Sequence, residues 1–272
     1  MSLVFAAIAP HGSDIVSQVA DDPAVMAQTR AAMQELGRRC AAARPETVVV
    51  LDPHGLMVSG AISLGATATA FGILGDPSGR HIQAGFECDL ELAAAIEADS
   101  DRQSLPIARL VGDKRKGEAI LPLEWGALVP LWFTAHPLTP RPRIVVLAPD
   151  RALSRETLVR AGLAIARAAE RTGRRVALVA SCDQGHAHHP GGPYGFDPAS
   201  AEHDAEMIVA IAEDDLERIL DWEESFLEEA KVDAYWQTIM LMGALGHTPM
   251  KPELLSYEAP TYFGMIVAAF AP

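Results

Sequence analysis

Asparagine is absent from this 272-residue chain, and lysine is scarce: four of its 22 basic residues are lysine and the rest arginine. Heat adaptation and a GC-rich coding sequence would each produce that bias, so it decides nothing about function. Cysteine is sparse too. Cys40, Cys88 and Cys182 lie far apart with no CxxC pair, which excludes a disulfide framework and zinc-finger spacing and suits reduced thiols in a cytoplasmic protein. No apolar run approaches the ~18 residues of a membrane span. The apolar start, Met1 to Pro10, has neither a basic flank nor a cleavage-site pattern, so it is expected to be a strand and not a leader. Positive charge is in deficit, with 22 Lys and Arg against 36 Asp and Glu, a net charge of −14. Such a surface repels phosphate backbones and anionic lipid, so nucleic acid and membranes are poor partners. Also missing are a GxSxG elbow, a GxxxxGK[ST] loop, a GxGxxG turn after a strand and HExxH. Their absence argues against elbow-type serine hydrolases, P-loop enzymes, dinucleotide dehydrogenases and common zinc proteases.

What is present is a large apolar fraction, 49% against 21% charged, enough for a core that needs no staple. No linker or composition shift divides the chain, and one catalytic domain over residues 1–272 is expected. Four short apolar runs share one design, each stopping at a polar or proline-containing corner. They are Leu3 to Pro10 before His11, Thr47 to Leu51 before Asp52-Pro53-His54, Arg143 to Ala148 before Pro149-Asp150, and Arg175 to Ala180 before Ser181-Cys182-Asp183. Runs of this kind suit strands buried on both faces. A fifth candidate is Tyr262 to Phe270.

Helical patterns lie between them. Asp22 with Pro23 opens a helix to about Ala43, Glu87 to Ala98 is amphipathic, and Ser154 caps a helix to Thr172 that Gly173 ends. Ala199 to Gly246 reads as mostly helical, its acidic stretches Glu213 to Asp215 and Glu223 to Glu229 being solvated surface. The alternation predicts an α/β fold, a mostly parallel or mixed central sheet with helices on both faces.

The informative feature is a repeated corner. Ala9-Pro10-His11-Gly12 and Asp52-Pro53-His54-Gly55 each follow a buried-strand pattern. Ligands of open α/β sheets bind outside the carboxyl ends of the strands, so two such corners from neighbouring strands would bring two imidazoles to one crevice. Proline fixes the approach and glycine allows a sharp exit. A pair of imidazoles completed by one carboxylate is the face of non-haem Fe(II) oxygenases, with coordination positions left open. The candidate carboxylate is Glu258, in an apolar stretch before the last strand pattern. A third cluster, Ser181 to His189, ends in His186, His188 and His189. A histidine there could work as general base and then general acid; a second metal site and a mobile loop are the other readings.

With these anchors the chain resembles the class III extradiol ring-cleaving dioxygenases, the superfamily of the protocatechuate 4,5-dioxygenase catalytic subunit. The likeness runs through His11, His54, the Leu123 to Pro130 segment, the His186 loop with Gly192 to Pro198, and Ser256-Tyr257-Glu258. It implies an Fe(II) held by His11, His54 and Glu258, with zinc or manganese as alternative metals. It also implies His186 as the acid–base residue and Trp125, His188 and Tyr257 in the substrate pocket. A catechol and O2 would be the substrates, a ring-opened semialdehyde the product, and a homo-oligomer the assembly. Where many members carry Asp-His-Gly, this chain has Glu124-Trp125-Gly126, closer to the Glu-Tyr-Gly of the homoprotocatechuate-type branch. The lead-in to His186 departs from the family pattern as well. A carboxylated catechol would call for a cation, with Arg80, Lys114, Arg115 and Lys116 as candidates. Two other readings stay open: a metal-dependent hydrolase using the same cleft, and a non-catalytic scaffold that binds a peptide or partner.

Overall fold

The computed structural model describes residues 2–111 and 119–272; Lys114, Arg115 and Lys116 lie outside them. Eight strands form one mixed sheet, in the order β10 (Lys251–Glu258), β11 (Met265–Ala271), β1 (Leu3–Ala9), β9 (Val176–Ser181), β2 (Thr47–Leu51), β8 (Arg143–Pro149), β3 (Ile62–Gly65) and β6 (Ile107–Leu110). The four central strands β1, β9, β2 and β8 run parallel, while β11 and β3 pair antiparallel on either side of them. These four are the apolar runs that end in polar corners. The fifth expected strand begins later than Tyr262, at Met265.

Burial explains the composition of these strands. Every residue of β1, β2 and β9 is buried, and alternate side chains enter two separate cores. Val49 and Leu51 pack on one face with α2 (Leu90–Arg102), α4 (Arg155–Thr172) and α7 (Tyr235–His247). Val48 and Val50 pack on the other with α1 (Ala27–Ala43) and α3 (Trp125–Thr134). Two-residue alternation within an all-apolar run is what a doubly covered strand requires. The region after Ala199 resolves into α5 (Pro198–Ala212), α6 (Glu224–Ala230) and α7.

Local details depart from expectation where tertiary partners intervene. Asp22 accepts the Ala24 N–H at 2.9 Å, yet the helix starts at Ala27. Glu87 closes a strand, and the second helix starts at Leu90, capped by Asp89. A second sheet, β5 (His81–Glu87), β4 (Thr69–Gly75) and β7 (Ile120–Leu123), has alternating burial and covers the α3 side. No helix of the described residues is long and apolar enough to cross a membrane.

Helices α4 and α7 approach closely because glycines face each other's backbone. A Cβ on Gly162 would collide with the Met240 carbonyl oxygen, and one on Gly243 with that of Val159. Ridges without side chains at the crossing let the axes close up. Gly162→Ala should therefore lower the free energy of unfolding by about 1–3 kcal/mol. Urea titration would read this as a lower midpoint with an unchanged slope.

Candidate metal centre and cavity

The carboxyl ends of the four parallel strands open on one cavity of about 630 Å³. It is lined by His11 after β1, Asp183 after β9, His54 after β2 and Arg151 after β8, with His186 and Asp233 from the segments above. The first and third strands are not neighbours: β9 lies between β1 and β2. That interposed strand end supplies the support for His11.

Three donor atoms converge. His11 Nε2 and His54 Nε2 are 3.2 Å apart, and Asp233 Oδ2 lies 3.4 Å from the first and 3.1 Å from the second. Metal–nitrogen bonds of about 2.1 Å at right angles would place two donors about 3 Å apart, so the spacing fits a shared ion. The tautomer of His11 fits as well. Ser181 Oγ donates to the Gly126 carbonyl at 2.5 Å, so its oxygen is left to accept from His11 Nδ1–H at 3.0 Å. The lone pair of His11 then sits on Nε2, facing the cluster, which is the arrangement by which outer partners aim a metal-binding imidazole.

Electrostatics point the same way. Burial alone would push the His11 imidazole down, but the carboxylates of Asp183, Asp233 and Asp52 outweigh it and hold its pKa at about 9. Burial would likewise raise Asp233, yet hydrogen bonds from His11 and His54 keep it well below the usual carboxylate range. Burial pushes Asp52 up to about 6, even though its Oδ1 accepts the His54 N–H at 3.0 Å. Burial also raises Asp183, whose Oδ1 accepts the His11 N–H at 3.0 Å. Carboxylates gathered this densely demand positive charge, and a divalent cation at the three converging donors would supply it.

Glu258 stands elsewhere. It ends β10, and its Oε1 accepts the Thr29 N–H at 2.8 Å. Thr29 is in the first turn of α1, whose N-cap residue, Met26, offers no side-chain acceptor. The glutamate thus caps a helix from across the fold, a place where a carboxylate is stabilised by the helix dipole. The carboxylate beside the two imidazoles is Asp233, from the short segment between α6 and α7.

The remaining expected residues divide. Trp125 opens α3 and stacks on His54, with ring centroids 4.6 Å apart. His186 faces the same cavity; its Nδ1 sits 2.8 Å from the Gln184 carbonyl. A carbonyl can only accept, so Nδ1 carries the proton and Nε2 is free to act as a base. Phe263 stacks against its ring at 5.6 Å, and Tyr194 and Tyr262 stand at its edges.

His188 and Tyr257 are not among the cavity's walls. Both reach the buried Asp204, whose Oδ2 lies 2.8 Å from His188 Nε2 and accepts the Tyr257 hydroxyl at 2.9 Å. Its Oδ1 takes the Gly185 N–H at 2.9 Å and faces His203 Nδ1 at 3.1 Å. Asp204 therefore anchors the loop on both sides of His186. Arg80 is likewise engaged elsewhere, paired with Asp76 and Asp21. Gly12 has an ordinary φ of −52°; a Cβ there would fall 2.9 Å from Phe263, so close approach and not a sharp exit requires the glycine. A larger cavity, about 950 Å³, lies at the opposite end of the parallel strands and holds none of these groups.

Residues 5–269 match the family described as the catalytic LigB subunit of aromatic ring-opening dioxygenase. The chain belongs to this family. A curated relative, Protein CA_C1420 of Clostridium acetobutylicum, is 25% identical over 260 residues, covering 95% of this chain and 55% of that protein. The chain thus spans about half the length of that relative. A crystal structure of an uncharacterized protein, JW3007 of Escherichia coli K12, has the same fold: TM-score 0.60, 15% identity, covering 98% of this chain and 99% of that one. The LigB-type fold is therefore present over nearly the full sequence, with a His, His, Asp cluster at its strand ends.

Sequence reasoning missed Asp233, Asp183, Asp52, Ser181 and Asp204. Asp52, Ser181 and Asp183 stand in the very corners that drew attention to the histidines. Asp233 follows an acidic helix and carries one local signal, an acid flanked by Val232 and Ala234.

Asp233→Asn should weaken divalent-metal binding by more than about 100-fold, the upper end for loss of an outer partner, whereas Glu258→Gln should keep the metal. Elemental analysis after dialysis distinguishes them; the reverse pattern would return the ligand role to Glu258. A separate outcome concerns acid. Burial opposes ionisation of Asp204, but hydrogen bonds from His188, His203 and Gly185 hold its pKa below the ordinary value. Its stabilising effect is then complete above the unfolded carboxylate pKa of about 3.9 and is lost as pH falls through the lower folded value. The urea midpoint of the wild type should drop more steeply below about pH 4 than that of Asp204→Asn.

Proposed function

We propose that this chain is a non-haem Fe(II)-dependent extradiol dioxygenase that opens a catechol ring with O2 to give a semialdehyde. The observation that carries the reading is the shared cavity: His186, with a free Nε2, faces the same space as the His11, His54 and Asp233 donors. Family membership supports the reaction class.

Bound Fe(II) would supply open coordination positions at which catecholate oxygens and O2 meet. His11, His54 and Asp233 would hold it, with Ser181 fixing the His11 tautomer. His186 takes a catechol proton at Nε2, because Nδ1–H stays committed to Gln184, and an imidazole so placed can both take and return that proton. The Trp125–His54 stack forms one wall for the ring, and Phe263 with Tyr262 forms another beside His186. Both atoms of O2 enter the product, one as aldehyde or carboxylate oxygen on each side of the broken carbon–carbon bond. The protein's own part is to aim, deprotonate and exclude water.

The test is anaerobic reconstitution with Fe(II), followed by O2 uptake and near-visible absorbance against a panel of catechols. Uptake matched by a yellow product is expected. His186→Ala should retain iron and lose about 10²–10⁴ in rate. Hydrolysis of an ester or amide with zinc bound and no O2 uptake would overturn the proposal in favour of a metal-dependent hydrolase.

A further inference from the structure

A second cavity of about 650 Å³, as large as the first, adjoins the candidate metal centre. Arg151, Tyr194, Lys231 and Val232 line both, so these four residues form a neck between two chambers. Two of the four are cations in a chain of net charge −14. Arg151 is held in place: its guanidinium stacks over Trp236 at 4.8 Å, Trp236 Nε1 donates to the Arg151 carbonyl at 2.8 Å, and its Nη2 lies 3.3 Å from Asp233 Oδ1. Lys231 ends α6 in the left-handed conformation, φ 52°, and makes no ion pair among the described residues.

Beyond the neck the walls turn apolar, with Leu153, Leu158, Leu227 and Tyr235, and the acids there are Glu224 and Glu228. Arg155, the other cation of this chamber, is spent on the Leu220 and Trp222 carbonyls. An anion is therefore favoured at the neck and repelled farther in, while apolar bulk is favoured past it.

Resting on the ring-cleaving reading of the first cavity, we propose that the substrate is a catechol conjugate. Its ring occupies the metal chamber, a carboxylate on its arm sits between Arg151 and Lys231, and an apolar group beyond the carboxylate fills the second chamber. An amide of a dihydroxybenzoate with an apolar amino acid has this order of groups: ring, linker, carboxylate, aliphatic side chain.

Three probes test it on the Fe(II)-loaded protein without O2, by isothermal titration: dihydroxybenzoate, its leucine conjugate, and the matching leucinamide conjugate, which lacks the carboxylate. The leucine conjugate should bind at least about tenfold more tightly than either of the others. Lys231→Glu should remove its advantage over the leucinamide. Ala152→Trp, on an exposed turn lining the second chamber, should remove its advantage over dihydroxybenzoate, and it carries the test should Lys231→Glu fail to fold. Equal affinities for all three, or a preference that survives both substitutions, would overturn the conjugate site. O2 uptake on admission of air keeps the two readings apart. A binding preference without uptake by any probe would sink ring cleavage and leave the conjugate site standing. Uptake with dihydroxybenzoate but no binding preference would do the opposite.

Discussion

The parallel register of β1, β9 and β2 is the constraint on which the site depends. Ala9 stands opposite Ser181, and Leu51 opposite Ala180, so the three strands end at nearly the same level. The Cys182 N–H extends the ladder to the Ala9 carbonyl at 2.9 Å. Residues at these ends or up to three positions past them then meet in one place: His11, Ser181 and Asp183, Asp52 and His54. A slip of one residue in any strand would turn its core side chains to the opposite face and carry its corner away from the others. Apolar packing on both faces of the sheet thus sets the positions of polar groups that contribute nothing to the core.

Concentrating carboxylates at that end is costly unless the charge is balanced. Asp52, Asp183 and Asp233 are all buried around two imidazoles. Each is hydrogen-bonded, which offsets part of the penalty, and a bound cation would offset the rest. The imbalance therefore has a chemical use: a pocket short of positive charge is suited to a divalent ion.

The central strands were legible because an apolar run stopping at a polar corner has few structural alternatives. Thr47–Leu51 was read to the residue, and the helix between Ser154 and Gly173 carried both its start and its stop signal. His11 and His54 were legible for the same reason, since each corner inherits its position from its strand. The small sheet of β5, β4 and β7 was not: its strands are half-exposed and mix Gly and Pro with isolated apolar residues. Asp233 was hidden by its surroundings. It comes from a turn between two helices, and only the docking of those helices brings it to the strand ends. Glu258 stands before the last strand, as expected, but it ends a strand of its own, and its partner is the start of α1, a contact between residues 229 positions apart that no local pattern encodes.

The origin of Asp233 has a mechanical consequence. Two donors of the cluster belong to the sheet, whereas the third belongs to the chain between α6 and α7, on the helical side of the molecule. An ion shared among them is a clamp between these layers, added to their apolar contacts, the Arg151 pair and hydrogen bonds such as His186 N–H to the Ala230 carbonyl. Any affinity that the folded cluster has for metal, and the unfolded chain lacks, adds to the cohesion of those layers by mass action. The free energy needed to lift α6 away from the strand ends would then vary with the concentration of free metal around the protein.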